Sequence, residues 1–125
     1  MSRIFMFFAA VLGGLSVAAG AFGSHALKAK LTQHALEIFQ TGARYEMYHA
    51  LALLLVALLL SRTETAQTPL IVAGCAFLVG IALFSGSLYA LSLTGIKWLG
   101  AVAPLGGLAL FVGWGCLAIA AWNFN

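Results

Sequence analysis

Charged residues are scarce in this chain: they make up 7% of its 125 residues, against about 25% in an average soluble domain. Hydrophobic residues make up 63%, which is more than a soluble protein of this size is able to bury. The net charge of +3 is small and dispersed, whereas nucleic-acid binding requires a clustered basic surface. The composition therefore argues against a soluble domain and a nucleic-acid partner, and it predicts a protein of the lipid bilayer.

Cysteine is rarer still, with two residues, Cys75 and Cys116, both inside apolar segments. No metal-ligand spacing surrounds them, and the chain carries no recognisable cofactor motif. We interpret them as buried, unreactive thiols, although both are expected toward the same membrane face, which leaves a disulfide geometrically possible. We predict no metal and no cofactor.

Long apolar segments separate the few charges. Three of them exceed the ~20 residues that a helix needs to cross a bilayer, and a fourth is shorter but follows an amphipathic segment. These segments are residues 4–27, 65–96, 98–125 and 47–61. We predict an all-α polytopic membrane protein, a single four-transmembrane-helix bundle over residues 1–125. The helices are expected at about 4–22, 32–61, 69–94 and 98–122.

The first apolar segment has two interpretations. Arg3, the apolar run and the small residues at its end are also typical of a cleavable signal peptide. Small residues four apart, such as Ala10 and Gly14, instead favour a retained helix that packs closely against others. Gly23 and Ser24 are expected to end this helix. We predict that it is retained as the first of four spans.

Helix two begins with an amphipathic segment that we place in the membrane interface, with Thr32 as its N-cap. At about 100° per residue, one face is polar: Gln33, Glu37, Gln40, Thr41, Arg44 and Tyr48. The other face is apolar except for one acidic residue: Ala35, Phe39, Gly42, Glu46, Ala50 and Leu53. Glu46 is therefore predicted to point into the bundle. The helix either runs straight or bends near Gly42.

Hairpin topology places the polar side chains of the spans in one leaflet, because the ends of helices one and three and the starts of two and four meet there. The predicted ligand-binding or structural cluster is His25, Tyr45, Glu46, His49, Ser85, Ser87 and Tyr89. Ionisable groups inside a membrane usually face a cavity or a partner. We expect Glu46 to accept hydrogen bonds from the backbone where helix one ends, or to pair with His25 or His49. Lys28, Lys30 and Arg44 are expected to contact lipid head groups.

Four blocks of sequence resemble a known family: GAFGSHAL at 20–27, TGARYEMYHALAL at 41–53, FSGSLY at 84–89 and PLGG at 104–107. The chain resembles the "domain of unknown function 423" family of small bacterial inner-membrane proteins, which are related to an animal transmembrane protein. The resemblance implies four spans and supplies no activity. In that family glutamine is common at the position of Glu46, which implies a hydrogen-bonding role rather than obligatory proton chemistry.

Our leading hypothesis is a non-enzymatic bundle whose polar cluster organises packing or binds a lipid, a small molecule or a partner subunit. One alternative is a small transporter or channel component that uses Glu46, His25 and His49 as a proton or cation relay. Another is a lipid-active enzyme, with His49, Glu46 and Tyr89 as acid–base groups. Association with a second copy or with a larger membrane complex is a further expectation.

The charges near the helix ends predict an orientation. Lys28, Lys30, Arg44 and Lys97 share one side of the membrane, and Arg3 and Arg62 share the side of the termini. Because positive charge is concentrated on the cytoplasmic side, we expect both termini outside the bacterial inner membrane.

Overall fold

The computed structural model describes residues 1–124, all of whose regular elements are helical. The elements are α1 (Ser2–Val17), a π-helical segment (Ala18–Gly23), α2 (Ser24–Leu27), α3 (Gln33–Leu60), α4 (Gln67–Thr94) and α5 (Leu99–Trp122). The first three follow one another without a break and form one span, Ser2–Leu27. Together with α3, α4 and α5, the described chain has four helices long and apolar enough to cross a membrane. The predicted class and number of spans are confirmed.

Local chemistry explains most helix ends. The hydroxyl of Thr32 accepts a hydrogen bond from the backbone N–H of Ala35 at 3.1 Å, which confirms the predicted N-cap of α3. Gly95 ends α4 in the left-handed conformation, at φ 72°, as expected for a C-cap glycine.

Two predicted helix ends are wrong. Gly23 and Ser24 do not end the first helix, because the π-helical turn lets the backbone continue to Leu27. Helix α4 begins at Gln67 rather than at Pro69, after Ala66 in a left-handed conformation (φ 58°). Pro69 is tolerated there because N–H groups in the first turn have no partner within the helix.

Helix α3 is one uninterrupted helix of 28 residues, about 42 Å long at 1.5 Å per residue. Its predicted faces are confirmed. Gln33, Glu37 and Arg44 are exposed, whereas Phe39 and Glu46 are buried.

The spans pack in chain order, with α1 on α3, α3 on α4, and α4 on α5. Helices α3 and α4 are therefore central, while the first span and α5 lie at the outside. In the most apolar 18 residues of α3, 50% are buried inside the bundle. In the most apolar 18 residues of the first span, 17% are buried. Most of the first span thus lies on the outer surface of the bundle.

Glycine allows the closest approach between α4 and α5. A Cβ on Gly106 would collide with the backbone of Phe84, and one on Gly113 would lie 2.6 Å from the Phe77 ring. In contrast, a Cβ on Gly115 would meet nothing within 4 Å. Gly106 and Gly113 are therefore close-packing positions, whereas Gly115 is not.

The two cysteines are free, so no disulfide forms between them. Cys116 is partly buried, but Cys75 is exposed on the outer surface of α4. The expectation that both thiols are buried is wrong for Cys75, because an apolar residue in a membrane helix is as stable against lipid as against protein.

Candidate functional site

Hydrogen bonds between the spans converge on one short segment of α3. Apart from contacts near the loop between α3 and α4, four such bonds occur within residues 1–124, and all four end in residues 42–49. In each bond α3 supplies the acceptor, and a side chain of another span donates. We call residues 42–49 the acceptor segment. It connects α3 to the first span, to α4 and to α5.

Two serines donate to consecutive backbone carbonyls of the acceptor segment. Ser16 of the first span donates to the carbonyl of Ala43, and Ser85 of α4 donates to that of Gly42, each at 2.7 Å. Both hydroxyls belong to buried residues. Serine is small enough for the helices to approach while its hydroxyl is paired inside the membrane. The carbonyls of α3 thus hold its two neighbours on either side.

Glu46 occupies the centre of the buried face of α3, with 4% of its surface exposed. Its Oε1 accepts a hydrogen bond of 2.8 Å from the hydroxyl of Tyr89 on α4. Its Oε2 is buried and has no hydrogen-bond partner within residues 1–124. The inward direction of the side chain is confirmed. The partner is Tyr89 rather than the backbone at the end of helix one or either histidine, so those expected pairings are wrong.

His49 makes two hydrogen bonds that fix its protonation. Its Nδ1 lies 2.7 Å from the carbonyl oxygen of Tyr45, and its Nε2 lies 3.0 Å from the indole nitrogen of Trp114 on α5. A carbonyl only accepts and an indole N–H only donates, so Nδ1 carries the proton and Nε2 carries none. The ring is therefore neutral, and both of its nitrogens are occupied.

The remaining predicted site residues take no part in the hydrogen bonds that join the spans within residues 1–124. Tyr45 is partly exposed, and its ring packs 4.6 Å from that of Phe84. Ser87 donates to the carbonyl of Phe84 in its own helix, so it joins no second span. His25 is exposed at the end of the first span and contacts neither Glu46 nor His49 through a hydrogen bond within residues 1–124. The three members of the hypothetical relay are thus not connected.

His25 lies instead at a groove between the end of the first span and the start of α3. This polar groove has a volume of about 760 Å³. Its polar lining residues are Ser24, His25, Lys28, Gln33 and Gln40. Lys30 and Arg44 are exposed but do not line it. The only carboxylate on this part of α3, Glu37, is exposed and accepts a hydrogen bond from Gln33 at 3.3 Å.

Sequence reasoning missed two side chains that donate to the acceptor segment, Ser16 and Trp114. Ser16 is one of many small residues in the first helix, and its pattern does not distinguish it from a packing position. Trp114 lies in the middle of α5, away from the interfaces where tryptophan is usual in membrane helices. That depth is the available signal, because an indole N–H that water does not reach normally requires an acceptor in the protein.

The fold and the site define a small four-span membrane protein whose spans are hydrogen-bonded to one central helix. The chain belongs to the family described as protein of unknown function (DUF423), whose model matches residues 19–107. The resemblance noted in the sequence is thereby confirmed. The matched residues include the whole acceptor segment, together with Tyr89 and Ser85.

Curated relatives match the chain over nearly the full length of both proteins, and they are named UPF0382 membrane proteins. The UPF0382 membrane protein YwdK of Bacillus subtilis (strain 168) is 42% identical over 122 residues, 98% of each chain. UPF0382 membrane proteins of Staphylococcus epidermidis and Staphylococcus haemolyticus are 38% and 36% identical, again over 98% of each chain. No solved structure matches the chain.

Proposed function

We propose that this protein is a non-enzymatic membrane protein that binds the headgroup of an anionic phospholipid in the polar groove. The observation that carries the proposal is the groove itself, which combines the ammonium group of Lys28, the imidazole of His25 and the amides of Gln33 and Gln40. These groups are donors for phosphate oxygens. The groove also lies where the first span meets the amphipathic start of α3, at headgroup level.

The charge around the polar groove supports an anionic occupant. Lys28 lies in the groove, and Lys30 and Arg44 are exposed nearby, against the single carboxylate of Glu37. A lysine near an anionic membrane surface contributes about 1 kcal/mol of attraction. Phe22 also lines the groove and is 73% exposed, which offers an apolar surface to the lipid chains.

The acceptor segment supports a binding role over an enzymatic one. The hydroxyl of Tyr89 is bonded to Glu46, and both nitrogens of His49 are already paired, so these groups are engaged in joining helices. These groups hold α3 against α4 and α5, and the bond from Ser16 to the carbonyl of Ala43 holds α3 against the first span, which keeps the two walls of the groove in place. Association with a second copy or with a partner subunit stays a prediction.

The test compares two lysine variants of equal charge. Purified protein in detergent is titrated with phosphatidylglycerol, or with zwitterionic phosphatidylcholine, and bound lipid is counted by native mass spectrometry. We expect the unmodified protein to retain one phosphatidylglycerol in preference to phosphatidylcholine. K28Q should lower that preference about fivefold, because a direct ion pair at an exposed site contributes up to about 1 kcal/mol. K30Q, two residues away and outside the groove, should change it less than twofold.

Equal effects of K28Q and K30Q would contradict the proposal, because diffuse attraction to the membrane surface would then explain the binding. Equal retention of phosphatidylcholine and phosphatidylglycerol would contradict it as well. A Q40A variant removes a groove amide without any change in charge, and it should also weaken retention.

A further inference from the structure

A second groove, of about 430 Å³, separates α3 from α5. Its walls are mainly aromatic, and we call it the aromatic groove. It is lined by Tyr45, Tyr48, His49, Gly107, Leu110, Phe111 and Trp114. It shares no lining residue with the polar groove, so nothing in its assignment rests on the proposed lipid site.

The aromatic groove lies within the hydrocarbon region. Tyr45 and Tyr48 precede Leu60, the last residue of α3, by 15 and 12 residues, which corresponds to about 22 Å and about 18 Å along the helix. Arg44 precedes Tyr45 and is expected at the headgroups, so the groove begins just below that level, and Tyr48, His49 and Trp114 lie deeper in a hydrocarbon core of about 30 Å. The groove therefore opens toward lipid chains rather than toward water.

Two hydroxyls in this groove lack partners. Of the three tyrosines, Tyr89 donates to Glu46, whereas the hydroxyls of Tyr45 and Tyr48 make no hydrogen bond within residues 1–124. Their side chains are 39% and 53% exposed. A hydroxyl surrounded by hydrocarbon without an acceptor is unfavourable, because lipid chains offer none. The two hydroxyls are thus available donors toward whatever occupies the groove.

The walls of the groove are held in position by contacts behind them. The ring of Tyr45 packs 4.6 Å from Phe84 and stacks on His49. Trp114 is fixed by its hydrogen bond to His49 and by an edge contact with Phe77 at 5.3 Å between ring centres. A groove of this size with preformed aromatic walls and few polar groups is typical of a small-molecule site.

We infer that the aromatic groove binds a lipid-soluble molecule with a planar, carbonyl-bearing ring, the chemistry of a quinone. The ring lies against the aromatic walls, and its carbonyl oxygens accept from the hydroxyls of Tyr45 and Tyr48. His49 is no donor to it, since both ring nitrogens are already bonded. A quinone fits the groove better than a phospholipid chain because an alkyl chain leaves both hydroxyls unpaired.

The experiment uses the fluorescence of Trp114. The double variant W98F/W122F leaves Trp114 as the single tryptophan, and both replaced residues are largely exposed, at 67% and 91%. This protein is placed in phosphatidylcholine vesicles and titrated with a benzoquinone that carries a ten-carbon tail. We expect quenching of Trp114 that saturates with quinone, whereas random collision in the bilayer gives quenching without saturation.

Two variants in the same background connect the quenching to the groove. Y45F/Y48F keeps both rings and removes both hydroxyls, and it should weaken the apparent affinity about tenfold. G107L fills the groove and should abolish saturation. A Cβ at Gly107 makes only ordinary contacts, at 3.8 Å from Phe84, and circular dichroism checks that the longer leucine side chain leaves the fold intact.

Three results would overturn the inference: quenching that never saturates, an affinity unchanged in Y45F/Y48F, or equal competition by decylbenzene, which has the tail and a ring but no carbonyl. The last result would assign the groove to hydrocarbon chains. Complete protection of Trp114 at every quinone concentration would mean that a second copy of the chain covers the groove, and it would overturn the inference too.

Discussion

Removal of both members of the Glu46–Tyr89 pair should be less harmful than the sum of the two single removals. Tyr89 donates to Glu46 at 2.8 Å, and Glu46 is almost completely buried. In E46L the tyrosine hydroxyl loses its acceptor. In Y89F both carboxyl oxygens lack partners, since Oε2 already has none within residues 1–124. A polar group left unpaired in the interior costs about 1–3 kcal/mol.

The magnitude of the coupling follows from the same contact. In E46L/Y89F no polar group remains unpaired, and leucine approximates the volume of glutamate. We therefore expect each single variant to lower the free energy of unfolding by about 1–3 kcal/mol. The double variant should lower it by less than the sum of the two single effects. Hydrogen bonds between membrane helices average about 0.6 kcal/mol and reach about 1.7, so the coupling should lie near 1 kcal/mol.

The assay is an unfolding equilibrium in mixed micelles, followed by circular dichroism as the proportion of sodium dodecyl sulfate rises. E46Q provides an internal check, because its amide oxygen still accepts from Tyr89 and stability should remain close to normal. Y48F is the matched control for loss of a tyrosine hydroxyl, since Tyr48 has no hydrogen bond to lose within residues 1–124. Strictly additive effects of E46L and Y89F would refute the structural role of the pair.

Two further predictions concern packing and orientation. G106A should destabilise the protein by about 1–3 kcal/mol in the same assay, because its Cβ would collide with the backbone of Phe84. G115A should be neutral, because a Cβ there meets nothing within 4 Å. Equal effects of the two variants would contradict the close approach of α4 and α5. Alkaline phosphatase fused to the C-terminus should be active, since Lys28, Lys30 and Lys97 predict that the loops on the opposite side are cytoplasmic. An inactive C-terminal fusion together with an active fusion in the loop after α4 would contradict this orientation.

The architecture was accessible from the sequence because it depends on local properties. Apolar length gives the spans, and a helical period of 3.6 residues places Glu46 on the buried face, whatever the partners of that face are. Thr32 and Gly95 mark helix ends through their own backbone chemistry. Each of these features involves residues within a few positions of one another, so no knowledge of tertiary packing is required.

The contacts of the site were not accessible in the same way. Glu46 and Tyr89 are 43 positions apart, and His49 and Trp114 are 65 apart, so each pairing depends on the rotation and depth of two helices. Hairpin topology gives the shared leaflet but not the rotation. For this reason His25 was grouped with Glu46, although the π-helical turn carries it past the end of the buried face and into the polar groove.

The packing of the spans in chain order has a consequence for biogenesis. Each new helix finds its main neighbour already present in the membrane, because its predecessor has been inserted before it. The chain need not wait for its last segment to reach the bilayer before it begins to assemble. Ser16 meets its acceptor on α3 as soon as the first hairpin forms, and the later hydroxyl and indole donors arrive at a helix that is already anchored.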